Sequence, residues 1–304
     1  MIYGAKELLC FASSFLYEKI DKRNRVCYTM PIIPAHGGDG MKERLKNRAM
    51  ELDLLRGFAV LLMMLDHLMY DFWGLLPGII KEYPLDLRLL GLDYWYWDVR
   101  VVVRIVVIFF FFALTGICSS FSRSNLARGA KLLAVAMGLT AATWGAGYFT
   151  GNAKMTIAFG VLHAIALSLL LVGILEKLHT NQWIYLALGV LLVGAGIWIE
   201  QYNVGFVSYK NAELFPLFGK AIVGLAECGS DCFALPSTAG QIFIGVFLGK
   251  QFYHERRSLV FKSYHNNPLT FIGRHSLVVY FAHQVLFPVI AAAVFLCLGY
   301  ELAL

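Results

Sequence analysis

Long apolar runs separated by short polar segments dominate the chain after residue 40. Seven of them are long enough to cross a hydrocarbon core of about 30 Å, which takes about 20 helical residues each. Their centres lie near Leu62, Phe110, Gly138, Ser168, Leu191, Phe247 and Val289. Because helices satisfy their own backbone hydrogen bonds in lipid, the pattern predicts an all-α protein. We expect a polytopic transmembrane helical bundle of about seven spans, in a domain covering residues 41–304.

Composition supports a membrane protein and excludes an ordinary soluble domain. The chain is 59% hydrophobic and 15% charged, with a mean hydropathy of +0.64, whereas soluble domains are about 25% charged. The formal charge of +6 is typical of loops that face anionic lipid. The charge is therefore no sign of a nucleic-acid partner, and we expect a lipid bilayer as a partner and no nucleic acid.

The lysines and arginines of the loops predict the orientation. With the N-terminus inside, fourteen fall in inside segments and five in outside segments. The fourteen are Lys42, Arg44, Lys46, Arg48, Arg56, Arg123, Arg128, Lys131, Lys177, Lys250, Arg256, Arg257, Lys262 and Arg274. The five are Lys81, Arg88, Lys154, Lys210 and Lys220. The positive-inside rule therefore favours a cytoplasmic N-terminus and a C-terminus on the opposite side.

Residues 1–40 differ from the rest of the chain. They contain one short apolar run, Leu8 to Leu16, flanked by basic residues and without a small-residue cleavage site. We expect a poorly ordered or interfacial extension. Translation from Met1 and from Met41 both fit the sequence.

The cysteines and the known catalytic motifs exclude several kinds of site. Cys228 and Cys232 form a C-x-x-x-C pair in a predicted outer loop, which fits either a small disulfide or two free thiols. No Cys/His set has zinc-site spacing, and no phosphate loop or hydrolase elbow is present. We predict no metal.

The first span carries a cluster of ionisable side chains. Asp66, His67 and Asp71 lie in its outer half, although a charge at the bilayer centre costs about 2.5–3.5 kcal/mol or more. His67 and Asp71 are four residues apart and share a helix face, so Asp71 could hold the ring and leave its other nitrogen as a base. Asp66 points about 100° away and could meet Arg100, Arg104 or a histidine from another span. A polar network that only fixes the helix is the alternative.

Two more histidines lie inside predicted spans. His163 belongs to the fourth span and His283 to the seventh. Both could act in catalysis, and both could instead be neutral hydrogen-bonding links between helices.

A basic, hydroxyl-rich segment joins the second and third spans. It combines Arg123, Arg128 and Lys131 with the start of a helix, a combination that binds phosphate. The positive-inside rule would supply the same charges, so both interpretations stay open.

An aromatic run, Tyr94 to Trp97, lies in the outer loop between the first two spans. Amphipathic rings of this kind anchor helices at the lipid headgroups. They could also stack on a sugar ring.

Several of these segments together resemble one family. The chain is similar to the bacterial branch of the heparan-alpha-glucosaminide N-acetyltransferase catalytic-domain family, within the wider group of transmembrane acyltransferases. The matching pieces are Arg48, ELDLLRG (Glu51–Gly57), MLDH (Met64–His67), FFALTGICSS (Phe111–Ser120), SRSNLARG (Ser122–Gly129), IAFGVLH (Ile157–His163) and GRHSLVVYFAHQ (Gly273–Gln284).

The resemblance implies an acyltransferase in the bacterial inner membrane. It would move an acyl group, typically acetyl, from cytoplasmic acetyl-CoA to a hydroxyl or amine of a carbohydrate or glycoconjugate on the far side. His67 would be the base, oriented by Asp71 or Asp66, with His163 and His283 as competitors. Arg123, Arg128 and Lys131 would bind the CoA phosphates, together with Arg274.

Three points stay open at this stage. His67 could also accept the acyl group covalently. A proton-coupled small-molecule transporter is the alternative function, with Asp66, His67, His163 and His283 as a proton relay. A homodimer is compatible with the sequence.

Overall fold

The structure is a computed structural model that describes residues 48–150, 156–202, 222–224, 231–253, 258–261 and 263–303. The predicted extension over residues 1–40 and Cys228 lie outside these residues. The α-helices of the described part are α1 Met50–Tyr70, α2 Leu85–Trp95, α3 Asp98–Ser119, α4 Asn125–Thr150, α5 Val161–Lys177, α6 Gln182–Tyr202, α7 Leu235–Phe252, α8 Pro268–Arg274 and α9 Ser276–Cys297. A π-helical turn, Asp71–Leu75, and a 3-10 turn, Leu76–Gly78, follow α1.

The helical class is confirmed. Every predicted span centre falls inside one of the helices, and the described residues form no β-strand beyond an isolated bridge between Ile80 and Leu302. Within that part of the chain, four helices are long and apolar enough to cross a membrane, namely α3, α4, α6 and α9. Helix α1 is long but carries Asp53, Arg56 and Asp66.

The chain forms two compact units, and α3 contributes to both. One unit contains Phe112–Arg256, and the other contains Met41–Phe111 and Arg257–Leu304. In the first unit, α6 and α7 cross where Gly189 and Gly240 meet. A Cβ atom on Gly240 would lie 2.7 Å from the Gly189 carbonyl oxygen. Small residues at this point therefore permit close helix packing, as is common in membrane bundles.

In the second unit, the short helix α8 packs against the beginning of α1. A Cβ on Gly57 would overlap the Leu269 carbonyl, and one on Gly273 would overlap the Asp53 carbonyl. Asn267 caps α8, accepting a hydrogen bond of 2.8 Å from the Thr270 amide. Helix α9 starts directly after α8, so this contact also fixes where α9 begins.

A polar network surrounds Asp53 at the start of α1. Arg48 approaches its carboxylate at 3.0 Å and Arg56 at 3.9 Å, and the Tyr264 hydroxyl donates to it at 2.9 Å. Asp53 and Arg56, three residues apart on α1, therefore form an ion pair, although Arg48 is the nearer cation. Burial and the Asp53 carboxylate raise the pKa of Tyr264, so the phenol stays a donor. These bonds tie the chain before α8 to α1.

Candidate active site

A pair of histidines joins α1 to α9. His67 Nδ1 and His283 Nε2 are 3.2 Å apart, and the ring centroids are 4.9 Å apart. His67 Nδ1 also lies 2.9 Å from the Met63 carbonyl, and His283 Nδ1 lies 3.1 Å from the Val279 carbonyl. Each ring thus points back along its own helix to the carbonyl four residues earlier, as helix geometry favours.

These contacts assign the protons of the pair. A carbonyl oxygen can only accept a hydrogen bond, so each Nδ1 carries the proton in the neutral rings. The His67 Nδ1–H is then shared between the Met63 carbonyl and His283 Nε2. His67 Nε2 is left with a lone pair and makes no hydrogen bond within the described part of the chain. A neutral imidazole with one nitrogen fixed and the other open has the form of a general base.

Asp66, next to His67 in the sequence, is held by an arginine and a tyrosine. Arg100 donates to both carboxylate oxygens, from Nη2 at 2.6 Å and from Nε at 3.0 Å, and the Tyr94 hydroxyl donates at 2.9 Å. The guanidinium stacks on Trp95, 3.9 Å from the ring centroid, and its side chain is 6% exposed. Bidentate pairs of this kind are strong and directional. Asp66 therefore meets one of the two arginines that the sequence offered.

The aromatic run is divided between two environments. Tyr94 and Trp95 contact the Asp66–Arg100 pair, whereas Tyr96 is 71% exposed and Trp97 is 55% exposed. Burial and the bond to Asp66 raise the pKa of Tyr94 to about 12, so its phenol remains a neutral donor. Half of the run supports the ion pair, and the other half is free to lie at an interface.

The predicted hydrogen bond between His67 and Asp71 is not formed, and that part of the prediction is wrong. His67 directs Nδ1 backward to the Met63 carbonyl, away from residue 71. Asp71 is 6% exposed, begins the π-helical turn, and makes no side-chain hydrogen bond to any described residue. Such turns are frequent at functional sites, so Asp71 stays a candidate without being the group that orients His67.

His163 has a closed set of hydrogen bonds in the other unit. Thr140 Oγ1 lies 3.1 Å from its Nε2 and itself donates to the Ile157 carbonyl at 2.8 Å. The Gly160 amide donates to Nδ1 at 3.3 Å. Because the threonine proton goes to Ile157, Nε2 must donate and Nδ1 must accept. Both nitrogens are used, and the residue is 2% exposed.

The side chains predicted to bind phosphate are dispersed over both units. Arg128 donates to Asn125 at 3.4 Å, and Asn125 Nδ2 lies 2.9 Å from the Glu176 carboxylate. Arg123 is exposed, and Lys131 is half-buried in the first turns of α4. Arg274 belongs to the other unit.

Arg274 has neighbours of its own in that unit. It donates to Asn266 at 2.7 Å and to the Tyr264 hydroxyl at 3.2 Å. It therefore already takes part in the polar network at the start of α1.

A family model for the catalytic region of heparan-alpha-glucosaminide N-acetyltransferase matches residues 48–285. The chain belongs to this family. The match covers α1 and α9 as far as Val285, and so includes both members of the histidine pair. No curated protein and no solved structure matches the chain. At the level of the family, membership implies a membrane acetyltransferase with acetyl-CoA as the general co-substrate.

The remaining predicted features concern cysteine and metal chemistry. Cys232 is disulfide-bonded, and Cys297 has a free thiol. Within the described ranges, no three histidine, cysteine or acidic side chains are grouped so that they could hold a metal ion.

Sequence reasoning missed the contacts that organise the site. The Met63 carbonyl and the contact between His67 and His283 are absent from its predictions. From the sequence, Tyr94 stands out only as part of an aromatic run, and its hydrogen bond to Asp66 is not predicted. The i−4 carbonyl could have been anticipated, because helical side chains lean toward the N-terminus. The pairing of α1 with α9 has no local signal in the sequence.

Proposed function

We propose that the protein is a membrane-embedded acyltransferase that uses cytoplasmic acyl-CoA and acylates a sugar-type hydroxyl or amine on the far side of the membrane. The observation that carries the proposal is the hydrogen bonding of the His67 ring. One of its nitrogens is fixed by Met63 and His283, and the other is open, within a segment that the family match covers.

His67 Nε2 takes the proton of the acceptor as the acceptor oxygen or nitrogen attacks the thioester carbonyl. The tetrahedral species collapses when the C–S bond breaks, and the proton on His67 passes to the departing thiolate. Atoms and charge balance without a metal or an oxidant. A route through an acyl-imidazole on the same nitrogen also balances, and trapping that adduct would distinguish the two routes.

The neighbouring groups have separate tasks in this scheme. His283 accepts from His67 Nδ1 and keeps the ring in the tautomer that exposes Nε2. Asp66 is neutralised by Arg100 and Tyr94, so it stabilises the electrostatic surroundings of His67 without abstracting a proton. Asp71, which has no described partner, is available to a polar group of the acceptor.

The transfer proposal is tested with purified protein in lipid nanodiscs. Labelled acetyl-CoA is offered with a panel of sugars and amino sugars, and both acetylated product and free CoA thiol are measured. We expect both to form together. A pH-gradient-driven uptake of a small molecule, without CoA turnover, would support the transporter with its Asp66, His67, His163 and His283 relay.

Arg123, Arg128 and Lys131, with Arg274, are proposed to bind the CoA phosphates. Support comes from three cations around the start of α4, where helix amides and positive charge favour phosphate. Arg123→Ala/Arg128→Ala should weaken CoA binding in calorimetry by at least tenfold, because charge-assisted hydrogen bonds contribute about 1.5–3 kcal/mol each. Lys177→Ala removes an exposed charge predicted to be on the same side and serves as the control. Equal affinities in all variants would mean that these charges only set the topology.

The proposed topology has seven spans, a cytoplasmic N-terminus and an outer C-terminus. The charge asymmetry supports it, as does the disulfide at Cys232, because disulfides persist in oxidising compartments. Single cysteines at Ser124 and Asp86, both exposed, should react with impermeant reagent from opposite sides. Labelling of both from one side would exclude this topology.

A further inference from the structure

A second intramembrane arginine lies one helical turn from Arg100. Arg104 is on α3, exposed, and makes no ion pair or hydrogen bond with any described residue. The acidic partner suggested by the sequence, Asp66, is already bound by Arg100 and Tyr94. A charged side chain in a span usually pairs with a partner, lines a polar cavity or marks a substrate site.

The Asp66–Arg100 bond fixes where Arg104 lies along α1. Arg100 and Arg104 are four residues apart and share a face of α3, and Asp66 directly precedes His67. One turn of α3 is about 5.4 Å long, so the long Arg104 side chain lies within electrostatic reach of the imidazole that follows Asp66.

This arrangement suits an acyl transfer. Negative charge develops on the carbonyl oxygen of the thioester when the acceptor attacks, and donors aimed at that oxygen lower the barrier. A guanidinium offers several N–H donors in a fixed plane and stays charged at all relevant pH values. Arg100 and Tyr94 already satisfy Asp66, so the charge of Arg104 is not needed there.

We propose that Arg104 donates hydrogen bonds to the carbonyl oxygen of the bound acyl thioester and stabilises the oxyanion that forms while His67 removes the acceptor proton. The inference rests on the proposed acyl transfer. The C–O or C–N bond to the acceptor forms, the carbonyl π electrons move to the oxygen beside Arg104, and they return as the C–S bond breaks.

A structural role gives a different expectation. A long arginine side chain can extend toward the end of a span so that its charge reaches the interface. In that case the guanidinium would touch no reacting atom, and its replacement would change insertion or stability without changing the chemical step.

The test compares Arg104→Gln and Arg104→Lys with Arg88→Gln, which removes an exposed arginine from α2. Loss of one oxyanion donor typically costs about 10²–10³ in kcat. We expect that loss in Arg104→Gln, a KM for acetyl-CoA within a few-fold of wild type, a smaller loss in Arg104→Lys, and normal kcat in Arg88→Gln. Added guanidinium ion should restore part of the kcat of Arg104→Ala.

Three outcomes overturn the assignment. One is unchanged kcat in properly folded Arg104→Gln, with folding checked by size-exclusion profile and CoA calorimetry. Another is a raised KM for the acceptor alone, which would make Arg104 an acceptor-binding group. The third is wild-type protein that transfers no acyl group, which removes the proposed function itself. If the wild-type protein transfers the acyl group and Arg104→Gln does not change kcat, only the assignment of Arg104 is wrong and the proposed function stands.

Discussion

His67 and His163 are both histidines in helices of a membrane bundle, yet their surroundings differ in kind. His163 gives one proton to Thr140, accepts one from Gly160, and is 2% exposed. His67 is half-buried, has its Nδ1 occupied, and keeps Nε2 open. A saturated histidine is a structural link between chain segments, and a half-saturated one is prepared to exchange a proton. Hydrogen-bond saturation therefore separates two residues that look alike in the sequence.

The largest expected effects are opposite in kind: loss of His67 should reduce turnover, and loss of His163 should reduce stability. General base catalysis is worth about 10²–10⁴-fold, so His67→Ala should lose at least that much acetyl transfer and keep its thermal stability and CoA affinity. His163→Ala leaves the Gly160 amide without an acceptor and removes the hydrogen bond to Thr140 Oγ1, which keeps its bond to the Ile157 carbonyl. Each such loss costs about 1–3 kcal/mol, so the protein should unfold at lower temperature while its folded fraction stays active.

Both variants are measured by thermal unfolding in detergent and by turnover per folded molecule. His179→Ala is the control, because that histidine is exposed in a loop and should change neither quantity. Turnover that survives His67→Ala and collapses in His163→Ala would move the base to α5. Turnover that survives both would exclude histidine chemistry at these sites, unless His283 carries it.

The sequence predicted the helices well and the partners poorly, for a physical reason. Apolar length alone locates a helix that must cross lipid, so all seven predicted centres lie within helices. Asp66, His67 and His283 contact other polar side chains, as ionisable groups in apolar helices need partners.

Which partner is chosen depends on tertiary packing. The i, i+4 rule favoured Asp71 for His67, but the ring bonds to Met63 and to His283, which is 216 residues away. Likewise, Tyr94 and Arg100 converge on Asp66 only because α2 turns back over the end of α1. Spacing along one helix contains no information about such crossings.

A smaller effect is expected at His283, because it contributes one of two bonds to His67 Nδ1. His283→Leu should lower turnover by about tenfold, since an ordinary hydrogen bond is worth about 0.5–1.5 kcal/mol and the Met63 carbonyl still holds the tautomer. His283→Gln can place an amide oxygen near the same position and should recover part of the rate. A loss in His283→Leu as large as in His67→Ala would make His283 a direct participant, and the distinction between a base and its support would disappear.

The smallest expected effect distinguishes Tyr94 from Tyr96 within the aromatic run. Tyr94→Phe removes the hydroxyl that donates to Asp66 at 2.9 Å and leaves both bonds from Arg100 in place, so the loss should be about 1 kcal/mol. Turnover should fall by a few-fold, and the unfolding temperature should fall slightly. Tyr96→Phe, two residues on, removes an equivalent hydroxyl from a side chain that is 71% exposed and should change neither. If Tyr96→Phe instead raises the KM for a sugar acceptor while Tyr94→Phe is silent, the exposed half of the run contacts substrate. The Asp66 network would then be rigid enough to need only its arginine.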